Sequence, residues 1–251
     1  MSDGFNSHYF KDLYQLEENN FWFRARNKII ISAMKKFSRT PVSYFEIGCG
    51  TGYVTQAVQQ AFPDCQITGS EMFAEGLQYA KSRMPTATFI QADATQLANP
   101  ASADIVGIFD VLEHIEDDNK VLQSIHNMLK PDGLLFLTVP QHEWLWSDQD
   151  DIACHVRRYQ AKDLHAKLRS NGFTILQSTS FVTLLLPLMF ISRLRKNKKI
   201  NKTYESNPTS ELSLPPFVNR IFYFFMNIDL MLINAGIKLP FGGSRLIVAK
   251  K

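Results

Sequence analysis

A glycine-rich turn carries the clearest chemical signal in this 251-residue sequence. It reads Glu46-Ile47-Gly48-Cys49-Gly50-Thr51-Gly52 and lies between a predicted strand at 42–47 and a helical pattern. Glycines let the backbone turn sharply and approach a ligand closely, and the start of the following helix offers free N–H groups. Glu71, at the end of the next predicted strand, is placed to accept both hydroxyls of an adenosine ribose. The turn therefore predicts a nucleotide-like ligand.

The spacing of the glycines separates two classes of nucleotide-binding protein. The dinucleotide pattern G-x-G-x-x-G requires a third glycine at position 53, where this sequence has Tyr53. An NAD-dependent oxidoreductase is therefore an alternative that the sequence disfavours.

Hydrophobic patterning predicts the elements that would position these residues. Short apolar runs alternate with helical patterns from residue 42 onwards, which is typical of a parallel sheet with helical crossovers. Strands are predicted at 42–47, 66–70, 87–91, 104–109, 134–139, 173–179 and 245–250. The run at 134–139 is almost entirely apolar, so we expect it to be buried on both faces. The predicted fold class is α/β, with a Rossmann-like, seven-stranded, mostly parallel sheet and helices on both faces.

Two segments lie outside this alternation. Residues 1–40 are predicted to form an N-terminal helical lid, because apolar side chains near its end repeat at helical spacing. Residues 41–251 form the predicted ligand-binding domain. A long insertion, 180–244, separates the last two strands of that domain and holds apolar segments at 181–191 and 217–239.

Charge and hydropathy in the insertion predict an anionic partner. Residues 181–251 have a net charge of +8, whereas residues 1–180 have a net charge of −5. Nucleic acid is disfavoured as that partner, because the basic run at 193–199 has few aromatic side chains for base stacking. An anionic membrane surface is favoured. A helical stripe of apolar residues is predicted to lie in the interface plane: Phe217, Ile221, Phe224, Ile228, Met231 and Ala235. The alternative is that both apolar segments roof a substrate pocket.

Cysteine usage and the first residues predict a compartment. The three cysteines have no C-x-x-C spacing, which argues against a disulfide framework and a structural zinc site. The first ten residues have neither the basic region nor the apolar region that a signal peptide requires. The expected location is the cytoplasm, with peripheral binding to the inner face of the membrane, and no metal is expected.

Five segments in order give the sequence a family resemblance. They are FEIGCGTGYVT (45–55), Glu71, QADATQL (91–97), FDVLEHIEDD (109–118) and LKPDGLLFLTVP (129–140). Together they resemble the class I S-adenosylmethionine-dependent methyltransferases. The likeness is to the small-molecule group that includes ubiquinone-biosynthesis enzymes and bacterial cell-surface or lipid-pathway enzymes. The resemblance implies an enzyme with S-adenosylmethionine as its cofactor.

The resemblance also implies roles at the methionine end of the cofactor. Glu46 and the turn Gly48-Cys49-Gly50 would hold the methionine part, and Asp110, or the Phe109 carbonyl beside it, would lie near its amino group. Two of these residues have simpler alternatives. Cys49 could only fill space, and Asp110 could cap the next helix.

At the adenosine end, four residues are implied. Glu71 would bind the ribose hydroxyls, and Met72 would pack beside the adenine. Asp93 would accept a hydrogen bond from the adenine amino group, and the Ala94 amide would donate to a ring nitrogen. The alternative for Asp93 is that it caps a turn.

The acceptor side is predicted from the segment 144–159. Trp146, Arg157, Arg158 and Tyr159 are predicted to bind substrate, since paired arginines suit phosphate or carboxylate groups. His155 is the predicted general base. The alternative is that the arginines form surface ion pairs and that His155 only makes a structural hydrogen bond.

The sequence thus predicts methyl transfer from S-adenosylmethionine to an oxygen or nitrogen of a small or lipid-linked, anionic acceptor. A nucleic-acid acceptor is disfavoured, because N/D-P-P-Y does not follow the fourth strand. Besides the oxidoreductase, the alternative is a catalytically inactive scaffold that binds S-adenosylmethionine at the membrane.

Overall fold

The computed structural model describes residues 9–38, 40–97, 101–196 and 214–251. Its sheet has seven strands in the order β3-β2-β1-β4-β5-β7-β6, and β7 runs antiparallel to both of its neighbours. The strands are β1 Ser43–Ile47, β2 Gln66–Glu71, β3 Thr88–Gln91, β4 Ala103–Phe109, β5 Leu129–Pro140, β6 Thr174–Phe181 and β7 Ser244–Lys250. The predicted α/β fold with a mostly parallel, seven-stranded sheet is confirmed.

Helices cover the two faces of the sheet. They are α1 Tyr9–Leu16, α2 Phe21–Phe37, α3 Tyr53–Ala61, α4 Ala74–Arg83, α5 Asp118–Met128, α6 Asp148–Ile152, α7 Ala161–Ser170, α8 Leu186–Lys196 and α9 Pro216–Asn234. One apolar core holds side chains of α2, α3, α4 and α9, and a second holds side chains of α5 and α7. Phe136 of β5 is buried in the first core, and its neighbours Leu135 and Leu137 are buried in the second. The expected burial of this strand on both faces is confirmed.

One strand begins earlier than predicted. β5 starts at Leu129, which pairs with Ala103, and regular pairing resumes where Leu134 meets Ile105. The residues Lys130-Pro131-Asp132-Gly133, which precede the predicted strand at 134–139, therefore lie inside β5 as an irregularity, with Asp132 at a φ of +63°. The bulge lies at the end of the sheet that is remote from the glycine turn.

The strand order fixes where a ligand can bind. β1 pairs with β2 on one side and with β4 on the other, all in parallel. In such a sheet, the crevice beyond the carboxyl ends of strands whose connections diverge is the ligand site. The glycine turn follows β1, Glu71 ends β2 and Asp110 follows β4, so all three lie at this edge.

The described part of the insertion contributes two helices. α8 follows β6, and α9 packs along α2 and against β6. Polar groups of α9 face the protein, since Asn219 accepts a hydrogen bond from the Phe21 N–H (2.7 Å) and Asp229 accepts one from the Thr183 N–H (2.7 Å). The expected basic charges at Lys198 and Lys199 lie outside the described residues.

Candidate functional site

The glycine turn between β1 and α3 has a backbone that glycine favours. Gly48 and Gly50 have φ values of +68° and +53°, in the left-handed region that side chains disfavour. A Cβ atom at Gly48 would clash with Val111 Cγ2, so the turn lies against the loop after β4. The Cys49 N–H donates to the Ser70 carbonyl (2.9 Å) at the end of β2. Burial raises the pKa of the Cys49 thiol, which fits a space-filling residue and not a nucleophile.

Glu46 is a buried carboxyl directly before this turn. It accepts hydrogen bonds from the Tyr44 hydroxyl (2.8 Å) and from Thr55 Oγ1 (2.9 Å). Burial raises its pKa to about 7, and the two hydrogen bonds oppose the shift only in part. A positively charged ligand group beside Glu46 would favour its ionised form.

The Glu46 pKa predicts a pH dependence of stability. The carboxyl of Glu46 holds its proton more tightly in the folded chain than in the unfolded chain, where its pKa is about 4.5. The contribution of Glu46 to stability is therefore complete below pH 4.5 and declines as pH rises to about 7. The decline is on the order of 3 kcal/mol. Urea unfolding of the ligand-free chain between pH 5 and 8 should show it, and Glu46→Gln should remove it, whereas the exposed Glu75→Gln should not. Parallel stability curves for the wild type and Glu46→Gln would contradict the assignment.

Glu71 closes the other side of the turn. Its Oε2 accepts from the Gly50 N–H (3.0 Å), and its Oε1 accepts from the Phe73 N–H (3.1 Å). Burial raises the pKa of Glu71, and the two backbone donors oppose this shift only in part. Glu71 therefore ties the glycine turn to the start of α4.

The other predicted adenosine-side residues lie next to Glu71. Met72 is 40% exposed, and its carbonyl accepts from Gln91 Nε2 (2.9 Å) at the end of β3. Asp93 Oδ1 accepts from the Thr95 N–H (2.8 Å), so it caps the short 3-10 turn that begins at Ala94. The capping that was the alternative for Asp93 is present in the structure.

Asp110 is held by a cation from the N-terminal segment. Arg26 Nη1 of α2 donates to Asp110 Oδ2 (2.5 Å), and Thr138 Oγ1 of β5 donates to the same oxygen (3.0 Å). Asp110 has a φ of +55°, and the guanidinium of Arg26 lies 4.5 Å from the centre of the Trp22 ring. The alternative that Asp110 caps the next helix is wrong, because Asp117 caps α5.

The N-terminal helices also contact the turn through residues that the sequence did not single out. Glu17 Oε2, after α1, accepts hydrogen bonds from Thr51 Oγ1 (2.5 Å) and Arg83 Nη2 (3.1 Å). Phe10 of α1 is buried, and a Cβ atom at Gly50 would lie 3.9 Å from its ring. Through these contacts and the Arg26–Asp110 pair, α1 and α2 lie over the carboxyl edge of the sheet, which is where a lid would lie.

An acidic and histidine-rich cluster lies beside Asp110. It consists of Glu113, His114 and His155, and we call it the EHH cluster. His155 Nδ1 is 2.8 Å from Asp150 Oδ1, and His155 Nε2 is 4.0 Å from Glu113 Oε1. Burial and the charge of Asp110 raise the pKa of Glu113, and the same charge opposes the burial that lowers the pKa of His114. The cluster and Asp110 therefore share one site. The sequence predicts His155 as a base, but its pattern indicates no role for Glu113.

The predicted substrate-binding residues have partners within the protein. Arg158 donates two hydrogen bonds to Asp150, from Nε (2.8 Å) and Nη2 (3.0 Å). Burial of Asp150 opposes its ionisation, but the pairing with His155 and Arg158 outweighs burial and lowers the Asp150 pKa to about 2. Arg157 forms an ion pair with Asp118 (2.9 Å), and the Tyr159 hydroxyl donates to the same carboxylate (2.8 Å).

These contacts match the alternative of surface ion pairs only in part, because both arginines are paired but the side chains of Arg158 and Asp150 are buried. Trp146 Nε1 likewise donates to Asp151 Oδ1 (3.1 Å). Substrate binding by Trp146, Arg157, Arg158 and Tyr159 stays a prediction, and in the structure Arg158 is hydrogen-bonded to Asp150.

A family model described as a methyltransferase domain matches residues 17–178. The chain belongs to this methyltransferase family. The matched range contains the glycine turn, Glu71, Asp93, Asp110 and the EHH cluster. S-adenosylmethionine is the cofactor of these enzymes, and the Rossmann-like sheet of the family is the fold described above.

Named relatives agree with the family. A Mycobacterium tuberculosis protein named as a probable S-adenosylmethionine-dependent methyltransferase is 27% identical over 161 residues, which are 63% of this chain and 57% of that protein. The ubiquinone biosynthesis O-methyltransferase of Haemophilus ducreyi is 34% identical over 103 residues, which are 37% of this chain and 43% of that enzyme. The matches thus span about half the length of these relatives.

A solved structure shares the fold. The S-adenosylmethionine-dependent methyltransferase of Mesorhizobium loti superposes with a TM-score of 0.57 at 14% identity, over 87% of this chain and 96% of that one. Neither the family nor these relatives support the oxidoreductase or the inactive scaffold.

Proposed function

We propose that this chain transfers the methyl group of S-adenosylmethionine to an oxygen or nitrogen atom of a small or lipid-linked, anionic acceptor. One observation carries the proposal. The fold brings Glu46, the glycine turn, Glu71 and Asp110 together at the carboxyl ends of the adjacent parallel strands β2, β1 and β4. A cofactor with a sulfonium and an ammonium group suits a crevice rimmed by these carboxylates.

In this proposal the cofactor lies along the carboxyl edge. Glu46, Gly48, Cys49, Gly50 and Asp110 hold its methionine part. Glu71 binds the ribose, and the adenine lies by Met72, Asp93 and Ala94. The Glu71 carboxylate accepts a hydrogen bond from the Gly50 N–H. In this proposal it also accepts hydrogen bonds from the ribose hydroxyls, so it orients both the turn and the ribose.

The chemistry needs alignment and an acceptor for one proton. A lone pair of the acceptor attacks the methyl carbon in line, the carbon–sulfur bond breaks, and its electron pair stays on the sulfur. The acceptor proton passes to His155 Nε2, because Nδ1 of that ring is bound to Asp150 (2.8 Å). Asp150 holds the ring in this orientation, and Arg158 holds Asp150.

A lipid-linked acceptor is supported by the surface around Trp144, at the start of the segment 144–159 that is predicted to bind the acceptor. The Trp144 ring is 50% exposed and lies 5.6 Å from that of Phe190 on α8. Leu188 and Ile191 of α8 are exposed as well. An apolar surface therefore continues from the acceptor segment onto the insertion, and a lipid chain could follow it.

Calorimetric titration with S-adenosylmethionine, S-adenosylhomocysteine and NADH tests the cofactor. Transfer of a tritiated methyl group to fractionated small-molecule and lipid extracts then tests the reaction. We expect binding of the two adenosyl ligands and labelling of one fraction. Binding without labelling of any fraction would favour the inactive scaffold, and preferential binding of NADH would favour the oxidoreductase.

Removing the Glu71 carboxylate should weaken binding of the cofactor. Glu71→Ala loses two charge-assisted hydrogen bonds to the ribose, each worth about 1.5–3 kcal/mol before relaxation. The dissociation constant for S-adenosylmethionine should therefore rise at least tenfold in calorimetry. Glu75→Ala, an exposed carboxylate on the adjoining first turn of α4, is the matched control. An unchanged dissociation constant in Glu71→Ala would remove Glu71 from the site.

We further propose that the insertion binds an anionic membrane surface. The predicted stripe of α9 faces outward, and its residues Phe217, Phe224 and Met231 are 74%, 63% and 70% exposed. Within the described residues, α9 has the length and mean hydropathy (1.2) of a membrane span, although its polar groups bind α2 and the segment after β6. These contacts favour a helix that lies along the surface.

Co-sedimentation with vesicles of phosphatidylglycerol and phosphatidylcholine tests this proposal. We expect binding at low salt that falls as salt rises. Phe224→Ser with Met231→Ser should reduce it at least fivefold, and so should charge reversal at Arg195, Lys196, Lys198 and Lys199. Val42→Ser, at an exposed position before β1, is the control. Recovery of the wild-type protein wholly in the supernatant at low salt would contradict membrane binding. Only the alternative, in which the apolar segments roof the substrate pocket, would then remain.

A further inference from the structure

The EHH cluster brings three metal-binding side chains to one point. One ligand atom each from Glu113, His114 and His155 lie within 4.8 Å of one another. The backbone holds this arrangement, because the Val156 N–H donates to the Glu113 carbonyl (2.8 Å). His155 is therefore fixed beside Glu113, although they are distant in sequence.

Glu113 lacks a partner for one of its carboxylate oxygens. Its side chain is 1% exposed, and among the residues that the structure describes its buried Oε2 has no hydrogen-bond partner. A buried carboxylate is costly unless a cation or hydrogen-bond donors compensate it. The nearby guanidinium groups of Arg26 and Arg158 are paired with Asp110 and Asp150. The unsatisfied oxygen therefore favours a cationic ligand.

Both histidines suit a metal ion. The centres of the His114 and His155 rings lie 4.7 Å apart, so both imidazoles reach the same point. His155 binds Asp150 through Nδ1, which leaves Nε2 directed at Glu113. A histidine whose second nitrogen is bound to a carboxylate is typical of metal ligands, because the carboxylate fixes the ring and increases its basicity.

We infer that Glu113, His114 and His155 bind a divalent transition-metal ion. Two imidazoles and one carboxylate favour Zn²⁺, Co²⁺ or Mn²⁺ over Mg²⁺ and Ca²⁺, which prefer oxygen ligands. Three protein ligands leave coordination positions open. The cluster is wider than a bound site, so we expect ligand atoms that lie up to 4.8 Å apart to approach to about 3.4 Å when the ion binds.

The consequence for an acceptor rests on the proposed function, whereas binding of the ion does not. Arg157 and Arg158 are paired with carboxylates, so an ion here would supply the positive charge that an anionic acceptor requires. It would also lower the pKa of an acceptor hydroxyl bound to it. While the ion occupies Nε2, His155 holds the ion and is not the proton acceptor.

Metal binding to the whole chain tests the inference directly. Chelator-treated protein is dialysed against Mn²⁺, Co²⁺, Zn²⁺ and, for comparison, Mg²⁺, and the bound metal is measured by mass spectrometry. We expect one transition-metal ion per chain, with visible absorption bands for Co²⁺, and at least tenfold weaker Mg²⁺ binding. Glu113→Gln and His155→Asn should each weaken Co²⁺ at least tenfold. His165→Gln, whose ring instead contacts Ser178 Oγ (2.8 Å), should not.

Titration with S-adenosylmethionine on the same samples separates the two proposals. Variants that lose Co²⁺ and keep cofactor affinity within threefold would support the inference and show that they fold. A wild-type chain that binds the cofactor and none of the transition metals would overturn the inference alone. Equal Co²⁺ loss in His165→Gln would overturn it as well. A wild-type chain that binds Co²⁺ but not S-adenosylmethionine would overturn only the proposed function.

Discussion

Gly50→Val should abolish binding of S-adenosylmethionine, with a dissociation constant at least a hundredfold higher, while the sheet still forms. Gly50 has a φ of +53°, and a left-handed conformation costs an L-residue about 1–2 kcal/mol, more for a β-branched one. The backbone would relax, and the Gly50 N–H would leave Glu71 Oε2, to which it donates at 3.0 Å. The valine methyl groups would also enter the crevice.

The fold should survive, because among the described residues a Cβ atom at position 50 would meet only the Phe10 ring within 4 Å. Calorimetry measures the affinity, and circular dichroism checks the fold. Gly236→Val is the matched control, since Gly236 has a φ of +86° and a Cβ atom there would have no neighbour within 4 Å among the described residues. That variant should lose stability and keep its affinity. Near-native affinity in Gly50→Val would show that the glycine turn does not bind the cofactor.

Hydrophobic pattern and turn chemistry were sufficient to predict the sheet. A strand such as β4 shows its buried run directly in the sequence, and the helices between the strands require them to be parallel. The end of each strand then identifies Glu46, Glu71 and Asp110 as neighbours before any contact is known. β5 was predicted less well, because an irregularity around Asp132 interrupts the pattern without ending the strand.

Pairing between remote residues could not be predicted. Arg26 and Asp110 are 84 positions apart, and nothing in the local pattern of either shows that α2 delivers a guanidinium to the end of β4. Arg157 and Arg158 illustrate the same limit. Paired arginines suit an anion, whether it is a substrate or the carboxylates of Asp118 and Asp150, and only the folded arrangement shows that the carboxylates are there.

Glu113 and His155 required the same three-dimensional information. Glu113 follows the fourth strand within a recognisable segment, but its neighbour His155 is set by a backbone contact from the segment after α6. A cluster of this type shows no ligand spacing in the sequence. The expectation that no metal binds rested on the cysteines, which are not part of it.

His155→Ala should lower the rate of methyl transfer at least a hundredfold and leave the dissociation constant for S-adenosylmethionine within threefold. Removing a positioned proton acceptor costs about 10²–10⁴ in rate. The cofactor should be unaffected, because His155 belongs to the acceptor side of Asp110, and its bonded partner is Asp150. Single-turnover transfer of a tritiated methyl group to the labelled acceptor fraction measures the effect.

His165→Ala is the control, since it removes an imidazole that contacts Ser178 on the far part of the sheet. The expected loss holds for both functions of His155. If its Nε2 accepts the proton, the alanine variant has no base, and if its Nε2 holds an ion, the variant loses a ligand. Added Co²⁺ distinguishes these cases, because it should accelerate the wild type only if the ion is bound. Wild-type rates in His155→Ala would place the transfer away from the EHH cluster altogether.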